Sequence, residues 1–167
     1  MAVKQTIAIV GNKNKYCMEM MQYLVNEGYP LLYILCEEDE SATFIQQIML
    51  DHQNADIEIL KCPKEACWEA DIVMIFNQNR IGSADFIHQI LDFTTQKILA
   101  AIVTDSDIWQ KEEDFRSQLQ NHLPHTHIVS VYVEGNENEE IRIQGQNEEA
   151  LGVIAEIFKN LENKIQI

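Results

Sequence analysis

Short apolar runs alternate with amphipathic stretches along the chain, and most runs end in a polar or glycine-containing turn. The first run covers residues 7–10 and ends at Gly11. Apolar residues then recur at the spacing of one buried helix face, from Cys17 to Val25. Gly28 is expected to end this helix, because glycine adopts the left-handed conformation after a helix at little cost. The opening pattern therefore predicts a buried strand, a glycine turn and a helix.

Six further segments have the pattern of strands. They span residues 31–36, 57–62, 71–77, 97–103, 127–133 and 140–144. Most lack regular alternation, which is typical of strands covered by helices on both faces, whereas the last alternates like a half-exposed edge strand. Helical stripes of apolar residues follow Ser41, which is a candidate N-cap, and also follow Gly82 and Asn147. Sparser apolar residues from Trp109 to Leu119 predict a more polar helix, and residues 63–70 are expected to form a turn or one short helical segment. This order predicts a single α/β domain over residues 1–167 with a three-layer, doubly wound, mainly parallel sheet.

Gly11 stands where the fingerprint of a dinucleotide-binding α/β domain begins, between the first strand and the first helix. In the short form of that fingerprint, Lys13 and Tyr16 occupy the second and third glycine positions. In the longer form these positions hold Asn14 and Cys17. The longer form is preferred, because asparagine tolerates positive φ, cysteine is small, and Cys17 then also begins the helix stripe.

The predicted ligand site consists of residues that follow strand ends. These are Gly11, Asn12, Lys13 and Asn14 for a pyrophosphate at the helix N-terminus, Glu37 for a ribose, and Asn77 and Thr104 for the nicotinamide end. Carboxylates at Glu37 and Glu38 would repel a 2′-phosphate, so NAD(H) is expected rather than NADP(H). The alternative is that the acidic run and the lysine pair, Lys13 and Lys15, are only solvated loop residues.

The formal charge of −15 argues against nucleic acid and anionic membrane surfaces as partners. The first residues lack the apolar segment of a signal peptide, and no apolar run is long enough to span a membrane. Four cysteines at irregular spacing predict a reduced, cytoplasmic protein in which three of them are small buried hydrophobes.

Other candidate chemistry is sparse. His122, His125 and His127 form the one local cluster of metal-ligand residue types, and a solvated loop is preferred over a zinc site because no fourth ligand lies nearby. Cys17 could be activated by the helix dipole, but its place in the apolar stripe favours a packed thiol. Asp105 and Asp107 could contact a ligand or cap the next helix. The sequence identifies no general acid, general base or serine nucleophile.

The order of these elements resembles the deazaflavin (coenzyme F-420)-dependent NADP oxidoreductases. The segments that carry the likeness are IAIVGNKNKYC at the glycine loop, then 70–74, 102–105, 122–124 with 129–131, and 143–150. The resemblance implies a Rossmann fold and NAD(P) binding. The chain departs from it in the later glycine positions and in the acids at Glu37 and Glu38, where the family has Ser/Thr-Arg. It departs also at Asn77-Gln78, where the family has Val-Pro, and in having no helical C-terminal domain.

We therefore expect a small cytoplasmic Rossmann-type protein that binds NAD(H), resembles oxidoreductases and leaves the hydride chemistry to the cofactor. The substrate wall would come from a second copy or another protein, which predicts a homodimer. The alternative is a non-catalytic pseudoenzyme or interaction module that has lost dinucleotide binding. Replacing Gly11 with valine is expected to abolish binding while leaving the fold largely intact.

Overall fold

A computed structural model of the chain describes residues 3–11, 15–35, 42–76, 84–103, 112–133, 141–161 and 165–166. Within these residues, eight strands form one sheet of order β3-β2-β1-β4-β5-β6-β7-β8. They are β1 (Ile7–Val10), β2 (Leu31–Ile34), β3 (Ile57–Leu60), β4 (Ile72–Ile75), β5 (Ile98–Val103), β6 (His127–Val133), β7 (Ile141–Gly145) and β8 (Ile165–Gln166). Every neighbouring pair is parallel except β6 with β7. The predicted mainly parallel sheet is confirmed.

Helices cover both faces of this sheet and make the predicted three layers. The described helices are α1 (Lys15–Asn26), α2 (Ala42–Asp51), α3 (Pro63–Glu69), α4 (Ala84–Ile90), α5 (Glu112–His122) and α6 (Glu148–Phe158), with a 3-10 turn at Leu91–Phe93. The first core layer joins α1, α2 and α6 to one face, and the second joins α3, α4 and α5 to the other. Strands β1, β2 and β4 are buried at every position, which explains why their sequences do not alternate.

Local signals for the element ends agree with the structure where it describes them. Gly28 has a φ of +83° after α1, and the side chain of Asn147 caps α6 by accepting a hydrogen bond of 2.8 Å from the Ala150 amide. Residues 63–69 form a short helix that begins with Pro63, a position where the missing amide costs nothing. The helix cap predicted at Ser41 lies outside the described residues.

The prediction that β7 is an edge strand is wrong. Ile165 and Gln166 form β8, which pairs with Ile141 and Arg142 on the far side of β7. A two-residue strand leaves no periodic signal, so the sequence pattern could not reveal it. The alternation along β7 has a different cause, since Ile141 and Ile143 pack into the first core layer while Arg142 and Gln144 point away from it.

Side chains join α1 to α6 in the first layer. The Tyr23 hydroxyl donates a 2.6 Å hydrogen bond to the Ile157 carbonyl, and the Asn160 amide donates one of 2.7 Å to the Glu27 carboxylate. Burial, and after it the charge of Glu27, raises the pKa of Tyr23 to about 12. These contacts span 134 and 133 residues of sequence. None of the described helices is long and apolar enough to cross a membrane.

Replacing Gly152 with alanine is expected to stabilise the protein by about 0.5–1 kcal/mol, because glycine disfavours a helix interior. Gly152 is exposed within α6, and no heavy atom lies within 4 Å of the position that a Cβ would take. Urea unfolding of the two proteins measures the difference. The matched control is Gly145→Ala, whose Cβ would lie 3.0 Å from the Ile128 carbonyl oxygen and should destabilise. Equal effects of the two substitutions would contradict this packing of β7 and α6.

Candidate functional site

The direction in which the chain adds strands to the sheet reverses between β1 and β4. The chain leaves β1 towards β2 and β3 on one side and then crosses to β4, β5 and β6 on the other. The Phe76 amide donates a 2.8 Å hydrogen bond to the Val10 carbonyl, so the two central strands stay paired to their carboxyl ends. Open α/β sheets bind ligands at such a reversal, in the crevice beyond the carboxyl ends of the strands. This carboxyl edge is therefore the candidate site.

Gly11 lies at this edge and is buried. A Cβ at this position would come within 2.9 Å of the Cys17 sulfur, of a ring carbon of Tyr33 and of the Tyr33 hydroxyl. Tyr33, on β2, is fully buried, and Cys17 is buried on α1 as its place in the stripe predicts. The expectation that valine at Gly11 leaves the fold largely intact is therefore revised, because a larger side chain would collide with two packed neighbours.

The other predicted binding residues lie outside the described residues. They are Asn12, Lys13, Asn14, Glu37, Asn77 and Thr104, and the same holds for Glu38, Asp105 and Asp107. Their positions in sequence follow the carboxyl ends of β1, β2, β4 and β5, four adjacent parallel strands. Because parallel strands end at the same edge of a sheet, the sequence positions of the predicted site all follow that edge.

The first turns of α1 and α2 carry no acidic side chain. By contrast, the first turns of α3, α4 and α6 carry Glu65, Asp85 and the Glu148–Glu149 pair. Carboxylates in a first turn neutralise the positive end of a helix dipole. The start of α1 therefore keeps its attraction for an anion in a protein that is otherwise strongly acidic.

Sequence reasoning missed one contact between two polar side chains near this edge. Tyr132 is fully buried in β6, and Arg142 lies opposite it in β7 with its guanidinium carbon 5.3 Å from the Tyr132 ring centroid. Such a distance is typical of a cation–π contact. Tyr132 also pairs with Val103, the last residue of β5. The alternation of β7 identified Arg142 as pointing away from the core, but the pairing of β6 with β7 was needed to place it beside Tyr132.

The opposite, amino edge of the sheet has a cavity of about 540 Å³. Its lining includes Gln96, His125, His127, Asn147 and Thr126, and the Thr126 hydroxyl lies 2.9 Å from that of Thr94. His122 and His125 are exposed and His127 is half-buried. Among the described residues, no group of three or more His, Cys, Asp or Glu side chains could hold a metal ion. This cavity lies away from the edge where α/β sheets bind nucleotides.

Two cysteines in the described parts of the chain are buried, Cys17 and Cys67, whereas Cys62 is exposed and Cys36 lies outside them. Burial raises the pKa of the Cys67 thiol to about 12. Close by, the Lys97 ammonium donates hydrogen bonds of 2.5 Å and 2.6 Å to the carbonyls of Cys67 and Trp68 at the end of α3. These groups stabilise the amino edge and are remote from the candidate site.

The chain matches no protein-family model and no curated protein sequence. Solved structures do resemble it. A putative F-420-dependent NADP-reductase from Arthrobacter sp. superposes with a TM-score of 0.68 at 13% identity, over 98% of this chain and 83% of that one. The N-terminal domain of HmdIII from Methanocaldococcus jannaschii gives a TM-score of 0.66 at 10% identity, over 96% and 97%.

An imine reductase from Myxococcus stipitatus, solved with NADP+, gives a TM-score of 0.62 at 10% identity over 96% of this chain. A variant of that enzyme, solved with NAD+, gives 0.69 at 10% identity over 99% of this chain. This chain spans 52% and 54% of those two chains, about half their length. Identities this low show the fold alone. The fold is the Rossmann type, as found in the nucleotide-binding N-terminal domains of NAD(P) oxidoreductases.

Proposed function

We propose that this protein binds a dinucleotide, NAD(H) in preference to NADP(H), at the carboxyl edge of its sheet. One observation carries the proposal. At the reversal between β1 and β4, the buried Gly11 leads within a few residues to a helix whose first turn has no acidic side chain. A diphosphate there would meet amide N–H groups and the positive end of α1 without facing a carboxylate of that turn. Two of its fold neighbours were solved with NAD+ or NADP+, which supports a dinucleotide as the ligand.

The roles of the individual residues follow from their order in the chain. Gly11 would turn the backbone at the pyrophosphate, with Asn12, Lys13 and Asn14 completing the turn. Glu37 would bind the ribose, while Asn77 and Thr104 would flank the nicotinamide. A bound dinucleotide would supply hydride chemistry, and this chain would bind and orient it. The protein would then be an oxidoreductase-like relative of the coenzyme F-420-dependent NADP oxidoreductases, cytoplasmic, and dimeric so that a second copy completes the substrate wall.

NADH is expected to raise the melting temperature, because a ligand that binds only the folded state stabilises it. At a concentration 100 times its Kd, the gain is about 2.7 kcal/mol, or roughly 5–10 °C for a chain of this size. Differential scanning fluorimetry with NADH, NADPH and flavins, followed by isothermal titration, measures it. NADPH should shift the melting temperature less than NADH does. No shift with millimolar NADH would contradict the proposal.

A second candidate function is that of a non-catalytic interaction module. The packing around Gly11 favours it, because contact with Tyr33 and Cys17 requires a glycine there whether or not a ligand binds. The replacement of the later fingerprint glycines by Asn14 and Cys17 agrees with this alternative. Titration with NADH separates the two functions, since only the first requires binding.

A further inference from the structure

In strands β6 and β7, one face of the sheet carries polar side chains while the opposite face is apolar. In β6, Val129 and Val131 pack into the first core layer, so Ser130 and Tyr132 face the other way. In β7 the same alternation directs Arg142 and Gln144 to that second face. The register pairs Ser130 with Gln144 and Tyr132 with Arg142. Four polar side chains therefore share one face of two adjacent strands, and we call them the β6–β7 polar patch.

Ser130 is the informative member of this patch. It is fully buried, and its hydroxyl has no hydrogen-bond partner among the residues that the structure describes. Leaving a buried hydroxyl unpaired costs about 1–3 kcal/mol, so a folded protein retains such a group for a reason. Alanine would fit the same space in the strand without that cost. The hydroxyl is thus available to a molecule that enters the patch.

Arg142 supplies the positive charge. It lies diagonally across the ladder from Ser130, within the reach of a long side chain. Tyr132 beneath it holds the guanidinium in place through the cation–π contact at 5.3 Å. A protein of charge −15 repels anions in general, so recognition of an anion requires a fixed local cation. Guanidinium groups match the planar carboxylate particularly well.

Burial decreases across the patch from β6 to β7. Ser130 and Tyr132 are fully buried, whereas Arg142 and Gln144 are half-buried. The partly exposed side chains of Arg142 and Gln144 are therefore where a small molecule would reach the patch, with its charged end against Arg142. The patch also lies beside the carboxyl end of β5, because Tyr132 pairs with Val103. Only β5 separates the patch from β4, at whose carboxyl edge the dinucleotide is proposed to bind.

We propose that the β6–β7 polar patch binds the carboxylate of a small organic acid, with Arg142 as the charged partner and Ser130 as a hydroxyl donor. That this acid is the substrate reduced or oxidised by the protein rests on the proposed function. Carboxylate binding itself does not depend on it.

Succinate is the probe, titrated into the full chain at constant ionic strength and followed by the chemical shifts of backbone amides in β6 and β7. We expect saturable shifts confined to these strands. Arg142→Gln should weaken succinate binding at least tenfold, since it removes the charge, and Arg142→Lys should recover part of it. The control is Arg116→Gln, which changes the net charge equally at a half-buried arginine of α5 and should leave the affinity unchanged. Equal losses in Arg142→Gln and Arg116→Gln would overturn the proposal.

The variant Ser130→Ala distinguishes a binding role of Ser130 from a purely structural one. It also provides a second test in case an Arg142 variant fails to fold. The melting temperature without ligand should rise by about 2–12 °C, because the unpaired hydroxyl is gone. Succinate affinity should nevertheless fall about threefold. A lower melting temperature with unchanged affinity would show that Ser130 serves only packing, and would overturn its role. Binding of NADH without succinate refutes this inference alone, and binding of succinate without NADH refutes the proposed function alone.

Discussion

Stability is expected to fall by about 1.4 kcal/mol for each pH unit above 9, because a buried thiol cannot ionise while the protein is folded. Burial raises the pKa of Cys67 from its ordinary value of 9.0 to about 12. Below pH 9 the thiol is protonated in both states and contributes no pH dependence. Between pH 9 and 12 it ionises only in the unfolded chain, which is thereby favoured. Over that interval the loss is on the order of 4 kcal/mol. The raised pKa of Tyr23 adds to the loss above pH 10.

Urea unfolding at pH 8 and at pH 10.5 tests this. Wild-type protein should lose about 2 kcal/mol more stability between the two pH values than Cys67→Ala, which has no thiol to ionise at that position. Cys62→Ala is the matched control, since it removes an exposed thiol that borders the same short helix. It should show the pH dependence of the wild-type protein. Parallel curves for wild type and Cys67→Ala would mean that Cys67 ionises in the folded state and is not sealed from water.

Gly11→Ala is expected to destabilise the protein by about 1–3 kcal/mol, and Gly11→Val by more, through overpacking against β2 and α1. The added Cβ would lie 2.9 Å from both the Tyr33 side chain and the Cys17 sulfur, and both residues are buried. The contact is close enough that the neighbouring side chains must move, and Gly11 belongs to the proposed dinucleotide site. Dinucleotide affinity should therefore fall together with stability.

A double-mutant cycle with Tyr33→Leu tests the cause. Leucine removes the ring carbon and hydroxyl that meet the added Cβ, so Gly11→Ala should cost at least about 1 kcal/mol less in that background. Gly152→Ala, the same substitution where no atom lies within 4 Å, should keep its stabilising effect in both backgrounds. If the costs of Gly11→Ala and Tyr33→Leu simply add, Tyr33 is not what requires a glycine at this position.

The layered sheet was predictable from the sequence because its central strands are buried on both faces. Residues 7–10, 31–34 and 72–75 are short continuous apolar runs separated by amphipathic segments, and that pattern has few other solutions. The ends of helices could also be predicted where a single residue determines them, as at Gly28 and Asn147. The strand β8 could not be predicted, because two residues are too few to show a periodic pattern of apolar positions.

Side-chain contacts between elements were not predictable. Nothing in the local sequence shows that Tyr33 of β2 packs against Gly11, since the contact depends on the register in which β1 and β2 pair. Arg142 could be assigned to a face but not to a partner, because its contact with Tyr132 needs the register of an antiparallel pair. The predicted ligand residues follow the ends of β1, β2, β4 and β5 in sequence, but apart from Gly11 they lie outside the described residues, so their roles stay predictions.

The contact of α1 with α6 has a consequence for how the protein forms during translation. Tyr23 emerges from the ribosome well before its partner, because the carbonyl it binds belongs to Ile157, which is 134 residues later. Until that segment is synthesised, one side of α1 has no neighbour, and the apolar surface of the nascent chain stays open to water. Long-range closure of this kind slows folding and exposes intermediates to chaperones. The N-terminal half of the sheet can begin to assemble on the ribosome, but its first layer is completed only when α6 arrives.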